Sequence, residues 1–200
     1  MKFWGGTGRH LLWVVLAIMS SGCGYSFSGL KNPWAAKGIK TVYIRMVINN
    51  SLKAGIEIPF TTALAKEFER GGKVRVVSDE KDADGIVIGL IGSFASIINP
   101  SGVTSVASLS NSPDAQALSD MLIASEYIAM ANITVSLQKR DGPVLWSQTF
   151  SRPKVYPAGN RFGLQGTTSA LIDASQEQLS LVEIAGFMAG DVYDTMFEAF

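Results

Sequence analysis

Histidine and cysteine are almost missing from this chain: 200 residues contain one of each, His10 and Cys23. If residues 1–22 are removed by processing, the remainder has no imidazole, and its one thiol is the N-terminal residue. Imidazole is the side chain whose unperturbed pKa lies nearest neutrality. Its absence excludes Ser-His-Asp, Cys-His and His-ligated zinc chemistry from the processed chain. A lone cysteine excludes an intrachain disulfide, so stability must come from a hydrophobic core. Long apolar runs are scarce as well. The run at residues 11–19 is far short of the roughly 20 residues that span a bilayer core. Basic residues are absent from 162–200 and acidic ones from 23–53.

What is present at the N-terminus is ordered. Lys2 and Arg9 precede the apolar run 11–19, then come Ser20, Ser21, Gly22 and Cys23. Basic residues, a short apolar stretch and small residues before a cysteine are the grammar of a bacterial lipoprotein signal peptide. Ser20 departs from it, since a leucine is usual there. The expectation is a signal peptide over 1–22, lipid attachment at Cys23 and a single periplasmic domain over 23–200. Gly24 stands where an aspartate would retain a lipoprotein in the inner membrane, so the outer membrane is expected. With 47% apolar residues, one domain of this length buries an adequate core.

Charge excludes another class. The chain has 17 basic and 17 acidic residues, and loss of Lys2 and Arg9 leaves a slight acidic excess, whereas a nucleic-acid binder is distinctly basic. The distribution is uneven. Lys31, Lys37, Lys40, Arg45 and Lys53 form one acid-free basic segment; Lys139, Arg140, Arg152, Lys154 and Arg161 face Asp141 alone in another. Residues 162–200 are purely acidic among charged types. Each cluster reads as a solvated face, and the asymmetry as a whole implies an anionic neighbour such as a phospholipid headgroup or lipopolysaccharide.

Periodicity predicts an α+β pattern. Residues 40–48 alternate, with Val42, Ile44 and Met46 on one face and Tyr43, Arg45 and Val47 on the other, as in a half-buried strand. Phe60, Leu64 and Phe68 recur every four residues after Pro59, and Gly71-Gly72 ends that helix. Residues 74–77 read as a short strand, 78–84 as a turn and 86–94 as a central strand in which Gly89 and Gly92 mark a bulge or a close backbone approach. From 127 to 139, Ala129, Ala131, Ile133, Val135 and Leu137 face one way and polar residues the other. Arg140-Asp141-Gly142 turns the chain into 143–151, with Val144, Trp146 and Phe150 on one side of a hairpin. Residues 176–200 predict the longest helix, its stripe made of Leu179, Val182, Ala185, Gly186, Ala189, Val192, Tyr193, Met196 and Phe200. Residues 99–125 read as a long loop with a short helix over 111–124, the least ordered part of the isolated protein. Residues 153–166 read as irregular.

Three signatures carry a family likeness: Cys-Gly-Tyr-Ser-Phe-Ser-Gly at 23–29, Val-Val-Ser-Asp with Ala-Asp-Gly-Ile-Val-Ile-Gly across 76–89, and Asp-Gly-Pro-Val-Leu-Trp-Ser-Gln-Thr-Phe at 141–150. Together with the order of elements they resemble LptE, the LPS-assembly lipoprotein. The resemblance implies a two-layer α+β sandwich, a small mixed sheet of about four or five strands with two helices packed on one face. It implies a non-catalytic outer-membrane role beside an LptD-like barrel, as a plug that supports export of lipopolysaccharide, with no cofactor. A plug needs a tether, and each buried methylene of an acyl chain contributes about 0.8 kcal/mol.

The remaining candidates come from the residues. Lys139 and Arg140, at the hairpin tip, are candidate contacts for lipopolysaccharide phosphates, or charges that keep a turn solvated. Phe187 lies with Glu183, Asp191 and Asp194 on the helical wheel, so it is either a candidate partner contact or packed under a loop. Gly186 and Gly190 are expected to let the helix lie close to the sheet. Asp79, Glu80, Asp82 and Asp84 lack the glycine and terminal glutamate of a calcium loop and read as a solvated turn. Trp34 and Trp146 read as packing residues. Two other classes stay open: a structural lipoprotein of another envelope machine, such as a pilotin or barrel-assembly accessory, and a histidine-free hydrolase with two buried, facing carboxylates.

Overall fold

The computed structural model describes residues 32–105, 122–159 and 167–198. The expected signal peptide, Cys23, the loop segment 106–121 and Phe200 lie outside the described residues. In chain order the strands are β1 (Thr41–Ile44), β2 (Ile48–Asn49), β3 (Arg75–Val76), β4 (Gly85–Ile98), β5 (Val103–Ser105), β6 (Leu122–Ala124), β7 (Glu126–Lys139) and β8 (Val144–Pro157). Helix α1 (Glu57–Gly71) lies between β2 and β3, and α2 (Thr167–Glu198) follows β8. Short 3-10 turns occupy Pro33–Lys37, Glu80–Asp82 and Pro100–Gly102.

The expected α+β sandwich with a mixed sheet and two helices is what forms. The main sheet runs β3-β1-β4-β7-β8, and β2 also pairs with β4, giving six strands. The pairs β1–β3, β1–β4 and β2–β4 are parallel; β4–β7 and β7–β8 are antiparallel. On β7 every odd position from Ala129 to Leu137 is almost fully buried. Phe60, Leu64 and Phe68 of α1 and Ile184, Met188, Val192 and Met196 of α2 join those residues in one core. Phe68 meets the rings of Tyr193 and Phe197 edge-on, at 5.3 and 6.0 Å between centroids. Such pairs add about 0.5–1.5 kcal/mol beyond burial.

Two one-residue bulges set which side chains enter the core. Ile44 stands opposite Val87 and Ile48 opposite Leu90, so β1 and β2 spend four residues where β4 spends three. A one-residue slip exchanges the faces of a strand. Alternation placed Met46 with Val42 and Ile44; instead Met46 is exposed and Val47 is buried. The freed Val47 N–H donates to Thr61 Oγ1 at 2.9 Å, and that hydroxyl donates to Glu57 O at 2.7 Å. The second slip lies between Ile91 and Ser93 on β4. Gly92 is thus the bulge, while at Gly89 a Cβ would come within 2.8 Å of Val47 Cγ2, so both glycines behave as expected.

Several expectations are corrected. Strand β8 continues to Pro157, because an edge strand tolerates Pro153 where an interior strand would lose a ladder bond; Arg152 and Lys154 therefore lie within the sheet. A register shift beside Gln138 pairs it with Val144, which turns Val144 to the open face, away from Trp146 and Phe150. Residues 122–124 form a strand paired with β5 rather than the end of a helix. Helix α2 starts at Thr167, and its buried stripe is rotated: Leu181, Ile184, Met188 and Phe197 are inside, whereas Leu179 and Val182 are exposed. Gly186 is exposed, and a Cβ at Gly186 or Gly190 would meet nothing within 4 Å, so neither supports a close approach.

Asp84 braces the start of the sheet. Its Oδ2 accepts from Lys40 N at 3.0 Å, Thr41 N at 2.9 Å and Thr41 Oγ1 at 3.0 Å. The backbone N–H of Lys40, then that of Thr41, hold its carboxyl below the ordinary aspartate value against the opposing effect of burial, with the Thr41 hydroxyl and the Arg140 charge adding lesser contributions in the same direction as the amides.

Two outcomes follow. Gly71→Ala places a methyl against the Tyr193 ring and should destabilise by about 1–3 kcal/mol, while Gly186→Ala should stabilise by up to about 1 kcal/mol through helix propensity; equal signs in denaturant melts contradict the packing. Because its folded pKa is depressed, Asp84 contributes stability that is complete above the unfolded value near 3.9 and is lost as pH falls through the lower folded value. Asp84→Asn should lower neutral-pH stability by roughly 1 kcal/mol, discounted for solvent. In melts against pH, the gap between variant and parent should close in acid.

Candidate functional site

The hairpin tip is built where β7 leaves the sheet. Lys139 N donates to Pro143 O at 3.1 Å and Gly142 N to Lys139 O at 3.0 Å, closing the turn. Asp141 takes the left-handed conformation, φ 56°, which a short polar side chain tolerates. Arg140 is fixed to the neighbouring connection: its N donates to Asp84 O at 3.0 Å, and its guanidinium donates to the Lys81 carbonyl. Its Nε also lies 3.9 Å from Asp141 Oδ2. Arg140, Asp141, Asp79, Glu80 and Lys81 line a shallow cleft of about 400 Å³. Lys139 and Arg140 are both exposed and are thus brought together, with carboxylates beside them.

Three of the four carboxylates of 79–84 are engaged locally. Asp79 accepts from Lys81 N at 2.9 Å, Glu80 pairs with Arg45 at 2.7 Å and Asp84 holds the start of β1. Glu57, at the start of α1, has its pKa lowered by backbone N–H donation at its own residue and by Asn49. A general acid in a glycosidase-type pair needs a raised carboxyl pKa, the direction opposite to that of Asp84 and Glu57.

Phe187 projects from α2 with 55% of its surface exposed. Arg152 of β8 lies 5.8 Å from its ring centroid and forms a two-pronged pair with Asp191 at 2.8–3.0 Å. Lys154 pairs with Glu183 at 2.7 Å. The basic run after the hairpin thus answers acids of the last helix. Trp34 is fully buried, its indole N–H donating to Met196 O at 3.1 Å, and Trp146 packs against the core at 6.2 Å from Phe150.

Two surfaces escape sequence reasoning. One is a groove of about 710 Å³ between the outer sides of α1 and α2, with Ile58, Pro59, Ala63, Val182 and Gly186 in its lining and Lys66, Glu67 and Arg70 along it. Its signal was present in the apolar Ile58 and Val182, but the stripe expected from the helical wheel assigned Val182 to the core. The other is the open face of β4, β7 and β8. Cross-strand registers place Ser93, Asn132 and Ser151 in one row, Thr134 and Thr149 in the next, then Ser136 and Ser147. Asn132 Nδ2 donates to Ser93 Oγ at 2.7 Å, and the two threonine hydroxyls lie 2.8 Å apart. Beyond them Ala95, Met130 and Pro153 form one apolar row and Ile97, Ile128 and Val155 another.

Among solved structures, the chain is similar to the PelC dodecamer of Paraburkholderia phytofirmans, with 13% identity, 79% of this chain and 88% of that one covered, and a TM-score of 0.47. It is similar to the uncharacterized lipoprotein B of Nitrosomonas europaea at 12% identity, 86% and 91% coverage and TM-score 0.46. For the rare lipoprotein B of Shewanella oneidensis the values are 12%, 80%, 95% and 0.42. No curated protein matches the chain. The family model described as LptE, lipopolysaccharide-assembly, matches residues 39–196, a span that begins at the sheet and ends in the last turns of α2. The chain therefore belongs to the LptE lipopolysaccharide-assembly family.

Proposed function

We propose that the protein is an outer-membrane lipoprotein, cleaved before Cys23 and acylated there, whose domain over 23–200 faces the periplasm and the lumen of an LptD-like barrel that it plugs and supports during lipopolysaccharide export. The observation that carries this reading is the family match over 39–196, joined to the lipoprotein signal grammar of residues 1–23. The role is non-catalytic: the chain supplies a shape, a tether and surfaces. An open sheet face of hydroxyl, amide and aliphatic side chains suits burial against a partner, because it leaves no ion to desolvate.

Within that assembly, Lys139 and Arg140 are the proposed contacts for lipopolysaccharide phosphates. Arg140 is held in place through its backbone and Lys81, so little side-chain freedom remains to be lost on binding. Phe187, flanked by Arg152, is the proposed partner contact on the helix layer.

Affinity purification from detergent-solubilised membranes, followed by mass spectrometry, tests the assignment. A large barrel protein should co-elute in near equal amount, and the mature chain should begin with an acylated Cys23. A leader-bearing product, or elution without such a partner, contradicts it. For the phosphate contact, Lys139→Ala/Arg140→Ala should weaken lipopolysaccharide binding on the order of tenfold, given about 1 kcal/mol per cation near an anionic surface; unchanged affinity removes both residues from the site.

A further inference from the structure

Charge is separated along the strands. At the end where β1, β3 and β4 begin, Lys37, Lys40 and Arg75 are exposed and Lys73 is half-buried. Arg75 N donates to Lys40 O at 3.0 Å, so the two residues are neighbours across the sheet end. Lys73 lies beside them, its Nζ 5.8 and 5.4 Å from the ring centroids of Tyr193 and Phe197. Lys37 Nζ stands 4.7 Å from the Trp34 ring. Farther along the same end the signs cancel, because Lys81, Lys139 and Arg140 mingle with Asp82, Asp84 and Asp141. On the helix layer Arg70 pairs with Glu67 and feels Asp194. Glu198, in the last turn of α2, and Asp84, whose carboxylate reaches back to Lys40 N at 3.0 Å, set two charges against the four of the Lys37–Arg75 corner. At the opposite end lie Glu57, Asp173 and Glu177; Lys53 pairs with Glu177 at 2.7 Å, and Asp173 accepts from Gly159 N at 2.6 Å.

The chain joins the described fold at the cationic end. Asn32 Nδ2 donates to Ile39 O at 2.7 Å and its Oδ1 accepts from Trp34 N at 2.9 Å. From Cys23 to Asn32 the backbone reaches at most about 30 Å. That reach keeps the domain near the bilayer without choosing which side it presents. A charge surplus at one end chooses, because the attraction acts within a Debye length of about 8 Å.

From this juxtaposition of tether and charge we infer that the corner formed by Lys37, Lys40, Lys73 and Arg75 docks onto anionic lipid headgroups of the membrane that holds Cys23. The inference rests on the lipoprotein reading above and adds an orientation to it: the strand-start end faces the leaflet, and the acidic end points away. A multiply acylated cysteine is held stably by its chains alone, so the cationic corner sets the orientation of the domain and not its attachment.

The test uses the membrane-purified protein, with acylation established by intact mass. It is reconstituted in vesicles of phosphatidylcholine, with or without phosphatidylglycerol, and treated with an amine-reactive label read by peptide mass spectrometry. Labelling of Lys40 and Lys73 should fall about threefold or more in the anionic vesicles and recover in high salt, while Lys53 and Lys66 stay unchanged. In Lys40→Gln/Lys73→Gln/Arg75→Gln the protection of Lys37 should disappear. Equal labelling of Lys40 and Lys73 in both vesicles overturns the inference, as does equal protection of all four lysines. Protection produced by inorganic phosphate with neutral vesicles overturns the lipid surface as ligand. An unacylated mass defeats the lipoprotein reading separately, and the same footprint with vesicles added to that protein still decides whether the corner docks.

Discussion

The fold depends on one strip of side chains. Ala129, Ala131, Ile133, Val135 and Leu137 line one face of β7, a long strand paired with β4 along one edge and β8 along the other. With a single cysteine in the sequence, no intrachain disulfide holds the chain together; the helices are gathered by apolar contact, and this strip is what they gather on. Its gradation from small to large residues shapes the contact: alanine at 129 and 131 lets other elements lie near the backbone, and the branched residues beyond fill a wider gap. The opposite face of the same strand carries Asn132, Thr134, Ser136 and Gln138. A strand so divided fixes its own register, and the placement of β4 and β8 follows from it.

What could be read from residues alone tracks this division. β7, the hairpin turn and the Phe60-Leu64-Phe68 helix were legible because each has one unambiguous period. The slip between β1 and β2 was not, since an extra residue becomes visible only against a partner strand. The rotation of α2 was hidden for another reason. Leu179, Leu181, Val182, Ile184, Phe187 and Met188 supply apolar side chains around most of the helix, so a wheel cannot say which side meets the sheet. Pro153 disguised the second half of β8, because a proline argues against a strand until that strand is known to be an edge.

The candidate site was legible at the level of neighbours in sequence and not beyond. Lys139 and Arg140 were placed at a tip because a turn motif put them there. That Arg140 would be held by Lys81 and Asp84, residues more than 50 positions away in sequence, required the sheet order. Likewise Arg152 and Lys154 read only as part of a basic segment in sequence until β8 brought them to Asp191 and Glu183. Phe187, left open by its place on the wheel between an outward and a loop-covered position, is outward, with a guanidinium beside its ring. Identity, by contrast, was legible early, from the Cys-Gly-Tyr-x-Phe-x-Gly opening and the strand motifs.

The indole of Trp34 bonded to the carbonyl of Met196 has a mechanical meaning. The first described turn is pinned to the last turns of the longest helix, so if the chain is tethered through Cys23 as proposed, a pull arriving from the N-terminal side does not peel β1 away from its neighbours. It meets Trp34 first, a fully enclosed wedge, and passes into α2, whose length spreads the load over the whole hydrophobic layer. In the proposed role, the domain would thereby be loaded through its longest helix.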